Sequence, residues 1–186
     1  IEHADQNKSN GVYYFYTADH SRRVADVSVN LGKEIGVSEE EIEILYKSSL
    51  LHDIGKIGIS DQILNKQGKL TLEEFDIIKK HPVLGLDICS NLRLVPRILD
   101  IIHHHHEKLD GSGYPDGLSE KEISKLVRIV AIADIFDALT TDRPYRTSKT
   151  NEEAISILKK EAQENKLDID FVNSMENILQ RNIKFN

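Results

Sequence analysis

The residues that could do chemistry here are imidazoles and carboxylates set at helical spacing. Asp134 stands in the middle of the apolar run from Val127 to Phe136. An unpaired carboxylate there would lose several kcal/mol or give up its charge. An arginine partner would offset that loss, and so would a metal ion. His52 and Asp53 close another apolar helix. Adjacent residues point about 100° apart around a helix, so both reach one centre only near its end. Gly55 follows and lets the backbone leave the helix. His103 to His106 is a run of four histidines, followed by Glu107. His105 continues the apolar face of Leu94, Ile98 and Ile101 and so points inward, with His106 beside it. Adjacent imidazoles at a helix end suit a metal pair. His103 and His104 fit a solvated face better. His20 lies on an apolar face and His81 at a helix terminus, and taken singly each reads as an ordinary core or surface histidine. Together, His20, His52, Asp53, His81, His105, His106 and Asp134 form a nitrogen and oxygen donor set without cysteine. Such donors suit Fe, Mn, Co, Ni or Zn rather than Mg or Ca.

The elements that must position these groups are helices. Val24, Val27, Leu31 and Ile35 mark one apolar stripe, and His20 lies one turn earlier on the same face. Ser38 and Glu41 form a capping box for a second helix, with Ile42, Leu45, Tyr46 and Leu50 on its stripe. The segment from Gly55 to Gly68 reads as a loop. Thr71 and Glu74 cap another helix, expected to end near His81-Pro82, and a further helix carries Leu84 and Ile88. Asp110 to Gly117 is rich in glycine and proline and reads as a loop. Leu126 to Leu139 is apolar nearly all round, which predicts a central buried helix. Thr150 and Glu153 cap a helix through Ala162, and Phe171, Met175, Ile178 and Leu179 mark the last. Val12 to Tyr16 reads as a short strand. The sum is an all-α bundle of roughly seven or more helices. Residues 1–18 are expected to be an extension or linker, and residues 19–186 the functional domain.

Composition removes several classes of function. A formal charge of -7 disfavours DNA binding, which needs a basic surface. The hydrophobic share of 39% supports a packed core rather than a disordered chain. No apolar run approaches the roughly 20 residues of a membrane span, and no signal-peptide pattern opens the chain. The single cysteine, Cys89, rules out an internal disulfide or a cysteine-rich zinc site and fits the reducing cytoplasm. The start at Ile1 rather than Met is read as that of a piece of a longer protein.

The blocks, taken in order, resemble the HD-GYP family, a branch of the HD phosphohydrolases. They are His20-Ser-Arg-Arg-Val24, Leu51-His-Asp-Ile-Gly-Lys56, Ile63-Leu-Asn-Lys66 and His81-Pro82. Then come His105-His-Glu-Lys-Leu-Asp-Gly-Ser-Gly-Tyr-Pro115, Asp134-Ile-Phe-Asp-Ala-Leu-Thr140 and Arg143-Pro-Tyr-Arg146. The long block through Gly113-Tyr114-Pro115 is the most specific.

The resemblance implies an all-helical phosphodiesterase for bacterial cyclic dinucleotides, above all cyclic di-GMP. It implies metal ligation by His20, His52, Asp53, His81, His105, His106 and Asp134, with Asp53 bridging two ions, usually iron or manganese. The ions would generate hydroxide at neutral pH for in-line attack on the phosphodiester. His52, Asp53 and Lys56 are the expected catalytic residues, with Lys56 facing the phosphate oxygens. Arg143 and Arg146 would hold the nucleotide by forked hydrogen bonds. Asp137 would meet a guanine edge or support the ligand shell, or else pair with Arg143. Gly111 and Gly113 would permit unusual backbone conformations in a mainly structural loop, and Tyr114 would shape the pocket. Family members with three metals carry a glutamate where Tyr16 stands here, and a phenol with a pKa near 10 replaces it poorly. The expectation is therefore two ions and the linear product pGpG. A sensor or receiver domain upstream, or a diguanylate-cyclase-type (GGDEF) partner, would be usual.

Two alternatives remain open. One is a related phosphohydrolase acting on cyclic GMP-AMP or another nucleotide such as ppGpp. The other is a module that binds a cyclic dinucleotide without turnover, and the full ligand set with Lys56 favours an enzyme over it.

Overall fold

Side-chain caps begin most of the longer helices. In the computed structural model, which describes residues 9–66, 68–142 and 147–181 with side chains from residue 19, Ser38, Thr71 and Thr150 each complete a capping box with the glutamate three residues on. Such caps satisfy amides the first turn leaves orphaned, and each is worth about 1 kcal/mol. Helices α1 (Ser9–Ile35) and α2 (Glu39–Leu51) pack against each other, followed by a 3-10 turn (Ile54–Gly58) and short α3 (Asp61–Leu64). Then come α4 (Leu72–Ile78), α5 (His81–Ser90), α6 (Pro96–His104), α7 (Lys125–Thr140), α8 (Asn151–Gln163) and α9 (Ile169–Gln180). The expected all-α class holds, and no strand forms among the described residues; Asp110 and Ser119 make one isolated bridge.

The apolar helix expected from Leu126 to Leu139 is the centre of the molecule. α7 packs against α1, α2, α6, α8 and α9, and buries Leu126, Val127, Ile129, Val130, Ile132 and Phe136. Each such side chain contributes roughly 1.5–3 kcal/mol through burial. The hydrophobic core around it takes Val24, Val27 and Leu31 from α1 and Ile98, Ile101 and Ile102 from α6.

Three expectations need correction. Val12 to Tyr16 is not a strand but part of α1. Aromatic and β-branched residues favour strands only where a sheet surface receives them, and none exists among the described residues. The stretch from Gly55 to Gly68 is not a plain loop, since it holds the 3-10 turn and α3. His81 opens a helix instead of ending one: α4 stops at Ile78, and Pro82 sits in the first turn of α5, where its missing amide costs nothing.

Candidate metal centre

Five elements bring the imidazoles and carboxylates to one place. His20 comes from α1, His52 and Asp53 from the end of α2, His81 from the start of α5, His105 and His106 from just beyond α6, and Asp134 from α7. Seven candidate donors spread over more than a hundred residues of sequence thus converge, and they fall into two groups. Asp53, His81, His105 and His106 form one, and His20, His52 and Asp134 the other; within each, donor atoms lie within 4.8 Å of one another. Asp53 faces both groups. Its Oδ1 lies 3.3 Å from His81 Nε2, while its Oδ2 lies 3.5 Å from His52 Nε2 and 3.7 Å from His20 Nε2. The carboxylate of Asp134 faces imidazoles, with Oδ1 3.2 Å from His20 Nε2 and 3.9 Å from His52 Nε2, and Oδ2 3.9 Å from His106 Nδ1.

The ring orientations are set from behind. His52, His81 and His105 each direct Nδ1 at the carbonyl oxygen three residues earlier, of Ser49 at 2.7 Å, Ile78 at 2.8 Å and Ile102 at 2.9 Å. A carbonyl only accepts, so Nδ1 carries the hydrogen and Nε2 presents a lone pair to the centre. His20 is held differently: its Nδ1 lies 2.7 Å from Asp137 Oδ2, and Arg23 donates to the same carboxylate at 2.5 and 3.1 Å. Such backing by a carbonyl or carboxylate, found here for His20, His52, His81 and His105, is the habit of metal-binding histidine.

The lone pairs could take a cation. His52 Nε2 is buried and has no hydrogen-bond partner. His81 Nε2 and His105 Nε2 face each other at 3.3 Å, although both present lone pairs. An orphaned buried nitrogen and two opposed acceptors are unfavourable alone and are reconciled by a shared positive charge. The donor set therefore fits divalent ions of the borderline class.

Electrostatics favour ligation at three of the rings and hold a proton on a fourth. Burial, together with the neighbouring His106, His52 and His81, pushes His105 far down. Burial likewise brings His81 to about 4 and His106 to about 3. These rings are neutral near pH 7, the form that binds metal. Burial opposes charge on His20, but hydrogen bonds to Asp134 and Asp137 outweigh it and raise it to about 9. Burial also opposes charge on Asp53, yet Lys56 and the imidazoles of His52, His81 and His20 hold its carboxyl well below the usual range. His20, His52 and His106 do the same for Asp134 against its burial.

Around the centre, Lys56 Nζ lies 2.6 Å from Asp53 Oδ2. The Tyr114 ring stacks on His106 with centroids 4.8 Å apart, and burial with nearby Asp134 and Asp53 pushes its phenol up. Asp137 supports His20 and pairs with Arg23, whereas Arg143 and Arg146 lie outside the described residues, as does the side chain of Tyr16.

The sequence reading missed several supports. Arg23 lies one turn from His20 within a quoted block, so helical spacing could have exposed it. Buried Glu107 accepts hydrogen bonds from the amides of Asp116, Gly117 and Leu118 at 2.7 to 3.0 Å and so shapes the loop after it. Gly111 does adopt an unusual backbone, in the left-handed region with φ of 79°. Gly113 has a different reason: a Cβ there would overlap the backbone of Glu107 and Lys108. Gly55 likewise does more than end a helix, since a Cβ would strike the His81 carbonyl and the Gly85 amide.

A family model described as an HD domain matches residues 13–171. The chain belongs to the HD domain family. It is 40% identical over 141 residues to a cyclic di-GMP phosphodiesterase of Pseudomonas aeruginosa, covering 75% of this chain and 34% of that protein. A cyclic di-GMP phosphodiesterase of Thermotoga maritima is 46% identical over 140 residues, covering 74% and 38%. A 3'3'-cGAMP-specific phosphodiesterase of Vibrio cholerae is 40% identical over 144 residues, covering 77% and 31%. The chain thus spans about a third of the length of these relatives. Among solved structures, an HDG"Y"P protein from Bdellovibrio bacteriovorus shares the fold, with a TM-score of 0.74 at 24% identity over 88% of this chain and 52% of that one. No helix among the described residues is long and apolar enough to cross a membrane.

Proposed function

We propose that this HD domain is a metal-dependent phosphodiesterase that opens cyclic di-GMP to the linear dinucleotide pGpG. The observation that carries the proposal is the position of Asp53, with one carboxylate oxygen toward each donor group. His20, His52 and Asp134 would hold one ion, and His81, His105 and His106 a second, with Asp53 shared. Iron or manganese suits this set best, and nickel, cobalt or zinc also fit it. Bound there, the ions would supply a Lewis acid for the phosphodiester and a nucleophile from water at neutral pH.

The chain's own groups would do the rest. Lys56, beside Asp53, would place an ammonium against phosphate oxygens. Tyr114, stacked on His106, would form a wall of the pocket and exclude water from one side. Asp137 and Arg23 would keep His20 aimed at the centre. Arg143 and Arg146 would clamp phosphate or guanine by forked hydrogen bonds. Tyr16 in place of a carboxylate favours a buried centre with two ions and release at pGpG rather than GMP. Relatives named for cyclic di-GMP match across three quarters of this chain and support that substrate. Buried Cys89 suits the cytoplasm, where such substrates occur, and a sensor, receiver or GGDEF domain would complete the signalling protein.

The 40% identity to a 3'3'-cGAMP-specific phosphodiesterase favours cyclic GMP-AMP as the second reading. The test is product analysis after incubating Mn(II)- or Fe(II)-loaded protein with each dinucleotide. The expected outcome is pGpG from cyclic di-GMP, absent with His52→Ala or Asp53→Ala. Faster turnover of cyclic GMP-AMP would move the substrate, and binding without hydrolysis would make the domain a ligand-binding module.

A further inference from the structure

His103 and His104, the outer half of the histidine run, are neither buried with the centre nor simply solvated. Both direct Nε2 at one oxygen of Asp116, at 3.0 and 3.1 Å. The donor atoms of all three lie within 4.8 Å of one another. The side chains of His103 and His104 are 14% and 18% exposed and that of Asp116 is 51%, so solvent ions can reach the cluster. His104 is braced from behind as the buried ligands are: its Nδ1 lies 2.8 Å from Asp100 Oδ1, and Ser124 donates to Asp100 Oδ2 at 2.9 Å. With the hydrogen on Nδ1, His104 Nε2 meets the Asp116 carboxylate as one acceptor facing another. His103 offers Nε2 to the same carboxylate oxygen, while its Nδ1, on the far side of the ring, is buried without a partner and takes no part in the cluster. A cation between the two Nε2 atoms and the carboxylate removes the conflict at His104.

Size and charge also fit. Ligand bonds of about 2.0–2.1 Å in a tetrahedral site put donors roughly 3.4 Å apart. The separations from Asp116 need widen by only a few tenths of an ångström. His103 and His104 lie in the last turn of α6, where the negative end of the helix dipole attracts positive charge. Two imidazoles and one carboxylate, with remaining positions open to water, suit borderline ions such as Zn(II) or Ni(II) rather than Mg or Ca.

We propose that His103, His104 and Asp116 form a separate, solvent-accessible site for a borderline divalent cation, which ties the end of α6 to the loop carrying Tyr114 and Pro115. The alternative occupant is a proton, which would make His104 an imidazolium between Asp100 and Asp116.

Two measurements on the full chain decide between them. Zn(II)-loaded protein, dialysed and assayed for metal, should carry one ion per chain more than the double variant His103→Ala/His104→Ala. Asp116→Asn, which leaves α6 untouched, should show the same loss. Zn(II) should slow amide exchange at residues 110–118 in the wild type but not in either variant. A variant impaired in both buried groups, His52→Ala/Asp53→Ala, should keep this protection, so the result stands apart from the fate of the buried centre. Equal metal content and equal exchange in the wild type and both outer-site variants would overturn the proposal and leave the cluster to the proton.

Discussion

One run of four histidines serves two different environments. His105 and His106 turn into the protein, where burial keeps them neutral and their neighbours are other imidazoles and Asp53. His103 and His104 turn outward to Asp116, where burial opposes charge on His104 but hydrogen bonds to Asp100 and Asp116 raise its basicity. The residue type is the same, and the surroundings decide what it does. In the interior a backbone carbonyl fixes the His105 ring, while at the surface a carboxylate fixes His104. The interior pair of His81 and His105 faces nitrogen to nitrogen, whereas the exterior pair shares one carboxylate oxygen of Asp116.

Removing interior groups should have the largest effect. His52→Ala or Asp53→Ala should lower cyclic di-GMP turnover at least about a thousandfold, well beyond the roughly 10–100-fold carried by outer-shell partners. Next, Asp137→Asn should weaken metal binding about 10–100-fold, because His20 loses the carboxylate that orients it. Metal titration with circular dichroism as a folding control would check it; unchanged affinity would sever Asp137 from the centre. Glu107→Gln should cost about 1.5–3 kcal/mol in denaturant unfolding, since three amides lose a charged acceptor.

The pH response of chelated protein sharpens the contrast further. His81 and His106 have folded values near 4 and 3, below the ordinary 6.5, so the unfolded chain takes up protons first and stability falls as pH drops below 6.5. His20 has a raised value, so its contribution is complete below 6.5 and is lost as pH rises through 9. The melting temperature without metal should therefore peak near neutral pH and fall on both sides. Metal should remove the alkaline decline by replacing the His20 proton. A monotonic rise through pH 9 without metal would contradict the pairing of His20 with Asp134 and Asp137. The smallest effect on turnover belongs outside: His103→Ala, which removes no donor of the buried centre, should change it by no more than about twofold, or about 0.5 kcal/mol.

Much of this arrangement could be read before any coordinates. Capping boxes at Ser38, Thr71 and Thr150 announced helix starts, because a cap is a local event between residues three apart. The all-round apolar character of α7 marked its central place, and isolated Asp134 there marked the centre. What stayed hidden was pairing across distance. Nothing local ties Asp137 to Arg23, or Asp116 to His103 and His104. The Val12 to Tyr16 error had the opposite cause, since aromatic residues give the same strand signal whether or not a sheet exists. Gly55 was legible as a break but not as a point of contact, because the sequence does not say which backbone passes nearby.

That point of contact has a consequence for how the domain tolerates change. Where Gly55 meets the His81 carbonyl and the Gly85 amide, main chain rests directly on main chain. The gap between Asp53 and His81 is consequently gauged by peptide dimensions and not by the rotamers of intervening side chains. Apolar residues elsewhere can drift in size and shape over generations while that gauge holds. A single methyl group at Gly55 would pry the two segments apart, however well the rest of the interior were repacked.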